Sequence, residues 1–318
     1  MNNFKKIGLT ALAASLVSVS AHAGEMSVNG GASMAIKNNS GVDGGKVITM
    51  GNQLTFSGGG ELDNGLKVSL SFVLDHADND VSGFDSHSIT VSSDALGSIT
   101  VAGDGAGNAQ SALDTTAAGD IWDNGFKAGA ADTAYVAMAG SDASDSSINY
   151  TLPTLMDNLS ISASYSVGGA AKNSTTALAA TYTGVEGLSV SYGVGENGST
   201  VATTSGDVTS MKASYAIGSF TAGYSNTESD KDSTGIDEEM SSYKVSYTVS
   251  DNLSISYGEE THETSAQTVD EEFEAISVSY TAGGMTLTAA QYDAKGIANA
   301  SGEAGKAARW KLAASFAF

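Results

Sequence analysis

The sequence predicts an all-β fold, a transmembrane antiparallel β-barrel of sixteen strands. Three observations predict it. Apolar and polar residues alternate with period two along the chain, tight turns alternate with long polar loops, and no segment beyond the N-terminus stays apolar for the roughly 20 residues a spanning helix needs. In a bilayer every backbone polar group must be paired internally, so a chain that spans with strands has to close into a barrel.

The alternation is clearest in the last segment. Ala308, Trp310, Leu312, Ala314, Phe316 and Phe318 share one face, and Arg309, Lys311, Ala313, Ser315 and Ala317 share the other. Between 159 and 167, Leu159, Ile161, Ala163, Tyr165 and Val167 alternate with four serines. A helix would smear this pattern around its surface. The same rule places strands near 25–37, 46–62, 65–75, 86–94, 97–104, 145–153, 158–168 and 174–183. The rest fall near 187–195, 207–217, 219–226, 239–249, 252–260, 271–281, 284–292 and 305–318.

Tight turns include Asp63-Asn64-Gly65, Asp94 to Gly97, Gly184 to Gly187, Gly218-Ser219, Asp251-Asn252 and Gly283-Gly284. Long polar connections fall at 76–85, 195–207, 226–238, 260–271 and 293–304. Short turns on one rim and long loops on the other mark a barrel that crosses a membrane. A single Pro and 38 Gly suit many strands and turns. A soluble antiparallel sandwich also alternates, and alternation alone does not say which face points inward. Tyr165, Tyr182, Tyr192, Tyr224, Tyr247 and Phe318, placed near strand ends as an interfacial belt would be, favour the membrane reading.

The first residues read as an export signal. Lys5 and Lys6 precede an apolar stretch from Ile7 to Val19, and Ala21-His22-Ala23 offers a small-residue cleavage site. Residues 1–23 are therefore expected to be removed, leaving 24–318 as a single barrel domain. The formal charge of −22 becomes −24 once the two lysines leave with the leader. So acidic a chain repels nucleic acid and attracts cations. Cysteine is absent, so neither disulfides nor thiolate metal sites contribute.

Catalytic constellations fail on inventory, and no enzyme is expected. Only His76, His87 and His262 follow the leader, with no hydrolase or metal-ligand spacing. Gly103-Asp104-Gly105-Ala106-Gly107 lacks the Lys and the βαβ setting of a phosphate loop. No cofactor is expected beyond a possible structural Ca²⁺ in two acidic outer loops. One holds Glu228, Asp230, Asp232, Asp237, Glu238 and Glu239, and the other runs from Glu259 to Glu274. A solvated rim that concentrates cations is the plainer account of both. Asp75-His76-Ala77-Asp78-Asn79-Asp80 hints at calcium but lacks the distal Glu of an EF-hand.

At Glu25-Met26-Ser27-Val28-Asn29-Gly30, Leu54-Thr55-Phe56-Ser57-Gly58, Ile99 to Gly107 and the terminal Phe318, the chain resembles the general porins of Gram-negative outer membranes, alphaproteobacterial type. The resemblance covers essentially the whole chain after the leader, and its weight lies in the order and spacing of these runs. It implies an outer-membrane homotrimer among lipid and lipopolysaccharide, each barrel a water-filled channel for small hydrophilic solutes and ions. It implies a long third loop folded into the pore, and a C-terminal aromatic, Phe318, read by the barrel assembly machinery.

The segment 105–144 occupies that loop's place, and its length favours packed, functional structure over free chain. With Asp104 just before it, it offers Asp114, Asp120, Asp123 and Asp132 against Lys127. Strand parity puts Lys37, Lys67, Lys212, Lys244, Arg309 and Lys311 on the polar wall. Of these, Lys37, Lys67, Arg309 and Lys311 lie on strands that become near neighbours when the barrel closes, so they would face the acidic loop across the opening. Selectivity depends on such charges and on diameter, and the negative balance predicts cation preference. Two other readings stay open: a secreted, acidic, Ca²⁺-binding surface protein, and a sugar channel in which Trp122, Phe126 and Tyr135 form part of a stacking track.

Overall fold

A computed structural model describes residues 26–39, 45–75, 86–104, 107–126, 146–169, 173–200, 205–232 and 237–318. The export signal, the His76 segment, Lys127, Asp132 and Tyr135 lie outside the described residues. In chain order the strands are β1 (Met26–Asn39), β2 (Gly45–Glu61), β3 (Lys67–Asp75), β4 (Ser86–Ser93), β5 (Gly97–Asp104), β6 (Ser147–Thr151), β7 (Leu159–Ser166) and β8 (Thr175–Val185). They continue as β9 (Leu188–Asn197), β10 (Gly206–Ile217), β11 (Phe220–Lys231), β12 (Asp237–Ser250), β13 (Leu253–Thr264), β14 (Glu271–Ala282), β15 (Met285–Lys295) and β16 (Ala307–Ala317).

Each strand pairs antiparallel with its sequence neighbours, and β1 pairs with β16 to close a sixteen-strand barrel. The seam holds Gly31 opposite Ala317 and Lys37 opposite Lys311. One step beyond the last strand, Phe318 and Gly30 exchange both backbone hydrogen bonds, at 2.6 and 2.9 Å. A Cβ on Gly30 would stand 2.1 Å from the Phe318 ring, so a larger residue there makes that ring move. At the tight turns the chain reverses through left-handed φ at Gly65 (+80°) and Gly218 (+56°), a conformation that costs glycine nothing.

The apolar face of the wall is the exposed one. Leu178, Tyr192, Ile276 and Leu312 are each more than half exposed, whereas Ser166, Ser210 and Ser242 are at most 2% exposed. A soluble barrel would show the reverse, so hydrocarbon-facing side chains and a polar interior are the arrangement of a membrane barrel. Along the polar face hydroxyls bond across strands, as between Thr90 and Thr100 (2.7 Å), Thr181 and Ser191 (2.8 Å) and Ser256 and Ser277 (2.8 Å).

The acidic outer loops expected from the sequence are largely strand. Glu228 and Asp230 belong to β11, Asp237, Glu238 and Glu239 to β12, Glu259, Glu260 and Glu263 to β13, and Glu271, Glu272 and Glu274 to β14. Hydrophobicity ends well before backbone pairing does, because a water-facing rim tolerates charged side chains while the ladder continues. In the other direction, β6 is only five residues long.

Candidate functional site

Between Gly107 and Phe126 the chain lines the polar face of the wall, and nearly every step is tied to a different strand. Asn149 of β6 donates to Gly107 O (2.8 Å), and Ala109 N donates to Ser164 Oγ of β7 (3.0 Å). Gln110, fully buried, donates to Ser210 Oγ of β10 (2.9 Å) and Val208 O (3.3 Å). Ala117 N and Ala118 N donate to Ser225 Oγ of β11 (2.8 Å) and Ser242 Oγ of β12 (3.0 Å). The path has been cleared by glycine. A Cβ on Gly193, Gly223 or Gly258 would meet Gln110 Cγ at 2.9 Å, Ala117 Cβ at 3.5 Å or Ala118 Cβ at 2.9 Å.

Local structure within the segment is equally specific. Ser111–Asp114 forms one helical turn, α1, and Trp122–Phe126 forms a π-helical turn. Between them Asp120 adopts φ +53° and its Oδ1 accepts from Thr116 N (2.8 Å), while Thr116 Oγ1 accepts from Asp120 N (2.8 Å). Asp and Asn are the side chains best able to hold such a turn through local hydrogen bonds.

The clasp at this turn is Glu260 of β13, 1% exposed. Its carboxylate accepts from Ile121 N (2.8 Å), Trp122 N (3.4 Å) and Thr116 Oγ1. Past it, Ile121, Trp122 and Phe126 pack with Phe273 of β14 and Ala290, Tyr292 and Ala294 of β15. Ring centroids there lie 5.4 Å (Trp122–Phe273) and 5.7 Å (Phe126–Phe273) apart, within the range of favourable aromatic pairing. Arg309 of β16 caps the end, its guanidinium 5.3 Å from the Phe126 ring centroid and its Nη1 donating to Phe126 O.

The acidic side chains expected at an opening divide accordingly. Asp114 and Asp123 are exposed on the segment, and Asp120 is partly consumed by its own turn. Asp104 ends β5, with its side chain outside the described set, as is all of Asp132. Enclosure by the wall and the neighbouring Asp120 charge push the Asp114 carboxyl up to about 6, although its surface stays wet.

The basic residues also divide. Lys37 and Lys311 stand opposite each other at the seam, half-exposed. Arg309 is buried and serves the segment's carbonyls, and Lys212 donates to Thr115 O (2.9 Å). Lys67 opens β3 beside a tight turn, 3.9 Å from Asp94, at the rim opposite to the one from which the segment leaves β5. Lys244 is half-buried on β12. Trp122 and Phe126, at 4% and 1% exposure, are covered and present no stacking surface.

Of the four acids considered for calcium, Asp230 pairs across the ladder with Asp237, and Asp232 follows β11. Glu238 Oε1 lies 2.5 Å from Lys231 Nζ. Among the described residues no three His, Asp or Glu side chains are gathered as a metal ion would require.

Sequence reasoning did not single out Gln110, the serine anchors or the glycine track, and it assigned Glu260 to a solvated rim. Apart from Gln110, which lies on the segment itself, their parity is legible, since the serines, the glycines and Glu260 lie on the polar face. Their height on the wall, which decides whether the segment reaches them, is not.

A family model described as Gram-negative porin matches residues 8–318. No curated protein sequence matches the chain. Among solved structures, the anion-selective porin from Comamonas acidovorans superposes with a TM-score of 0.71 at 15% identity, covering 93% of this chain and 100% of that one. The trimer form of OmpT from Vibrio cholerae gives 0.68 at 18% identity, with coverages of 93% and 100%. A mutant of Rh. blastica porin gives 0.66 at 15% identity, with coverages of 92% and 100%.

Proposed function

The chain belongs to the Gram-negative porin family of the outer membrane, and from that premise we propose that it is a homotrimeric, cation-preferring channel for passive diffusion of small hydrophilic solutes. The segment 107–126 narrows the channel. One observation carries the sign of the preference. Asp114 and Asp123 remain exposed on the segment, while Arg309 and Lys212 donate to its backbone carbonyls, which holds both cations against the wall side of the segment. Lys37 and Lys311, at the seam, supply the opposing positive edge of a transverse field.

The Comamonas relative is called anion-selective, so the shared fold leaves selectivity to the local charges. No chemical step or energy source is needed for diffusion through such an opening. Planar-bilayer recording of the protein in a salt gradient tests the proposal: conductance steps in threes with a cation-selective reversal potential are expected. Silent bilayers, or an anion-selective potential, would overturn it. Migration as an oligomer that dissociates only on heating in detergent tests the trimer.

A further inference from the structure

The connection between β15 and β16, residues 296–306, starts at the long-loop rim and folds into the barrel. Two of its residues reach the channel side of the wall. Ala298 N donates to Glu271 Oε1 (2.8 Å), and Ile297 packs against the apolar cluster that seats Trp122 and Phe126 of the segment. Glu271 shares the inward parity of β14 with Phe273, a member of that cluster. The turn 297–299 therefore lies inside the lumen, on the long-loop side of the segment's end.

The turn does not hold this shape by itself. Ala298 (φ +56°) and Asn299 (φ +55°) are consecutive non-glycine residues in the left-handed region. Alanine has no side-chain hydrogen bond to offset that conformation, so it persists only where the surroundings enforce it, and such strain gathers at clamps and switches. Besides Glu271, the enforcing contacts are at the rim. Asn299 Nδ2 donates to Val269 O (2.9 Å), and a Cβ on Gly296 would fall 1.9 Å from Asp270 O.

Glu271 is in turn held by the wall. Its side chain is 2% exposed, and its other oxygen, Oε2, lies 3.1 Å from Nδ1 of His262, which faces it across the β13–β14 ladder and is itself enclosed. A buried carboxylate is costly unless donors reach it. One oxygen answers to the wall and the other to the loop, so withdrawing the loop takes a donor from Oε1.

We propose that Glu271, oriented by His262, is a positioning residue of the channel: it keeps the 296–306 loop folded inward as a strap, and Ile297 of the strap backs the Trp122–Phe126 end of the segment. Whatever pulls the strap outward at the rim then loosens the segment at the end farthest from Gly107. The inference rests on the reading that the segment narrows a conducting channel.

The chain has no cysteine, so Ile297→Cys gives a single thiol on the strap of the full mature protein. Its labelling by a charged methanethiosulfonate should be about tenfold faster when Glu271→Ala is added, the scale of one hydrogen bond lost from a local opening equilibrium. Glu271→Gln, whose amide oxygen still accepts from Ala298 N, should label as slowly as the parent. In bilayer recordings without the added thiol, Glu271→Ala should flicker within each conductance step and Glu271→Gln should restore steady current. Ala298→Pro deletes the loop's donor, leaves the wall untouched, and should reproduce both effects even if Glu271→Ala fails to assemble. Labelling unchanged in every variant, a Gln variant as loose as the Ala variant, or faster labelling with steady current would overturn the inference. Any of these results with a conducting wild type sinks the strap alone, whereas a silent wild type sinks the channel reading.

Discussion

Asp114 and Glu260 are both carboxylates within the barrel, and their surroundings give them opposite tasks. Asp114 keeps contact with water but is crowded by the wall and by Asp120, which raises its pKa to about 6. Its charge is therefore lost as pH falls through that value. Cation selectivity, read as reversal potential, should decrease between pH 7 and 5, and Asp114→Asn should remove that step. An acid whose folded pKa is raised weakens the fold above that pKa, so this penalty should fade as pH drops from about 6 toward the ordinary carboxylate value of roughly 4.

Glu260 instead is buried, 1% exposed, and accepts from three donors. Glu260→Ala would leave two backbone N–H groups and a hydroxyl without their acceptor, at a cost of about 3 kcal/mol of docking for the segment. The expected result is noisier single-channel current with larger mean conductance in a barrel that still assembles. Unchanged current would mean that the segment is held by its other anchors alone.

At the scale of the element, the segment 107–126 is stable because each part of it answers a particular strand. It has little regular structure of its own, so its backbone donors are satisfied by serine and glutamate side chains of the wall. Its close approach depends on Gly193 of β9 and Gly258 of β13, whereas Gly223 of β11 leaves ordinary contact distance to Ala117. Gly258→Leu should drive the segment off the wall at Ala118, where even a Cβ falls at 2.9 Å, and change conductance while leaving the ladder intact. Circular dichroism with bilayer recording would check both halves of that statement, and an unaltered conductance would contradict the close approach.

For the whole molecule, closure is the decisive step, because an open sixteen-strand sheet would expose unpaired edges to hydrocarbon. The seam ends on the reciprocal Gly30–Phe318 bonds, with the Phe318 ring lying over Gly30. Gly30→Val would place side-chain atoms inside that ring's position and should lower the yield of heat-modifiable, folded barrel severalfold, as measured on unheated detergent gels. A normal yield would show that the seam closes without this contact.

Strand number, order and polarity could all be read from one dimension. Alternation is a local property, imposed on each strand by a wall with hydrocarbon on one side and water on the other, and β7 or β16 shows it residue by residue. Strand ends were less legible where chemistry and pairing part company, as at Glu228 and Glu263, because a charged residue can occupy a ladder that stands in water. The site was legible in its composition and not in its geometry. Parity assigned Arg309 and Lys67 to the same face, yet one is buried under the segment and the other stands at the far rim beside Asp94. By itself, then, the sequence determined the barrel and which face is polar, since those depend on neighbours along the strand. Only the tertiary structure decided which polar residues the segment reaches, because that depends on height along the wall and on contacts between residues more than a hundred positions apart.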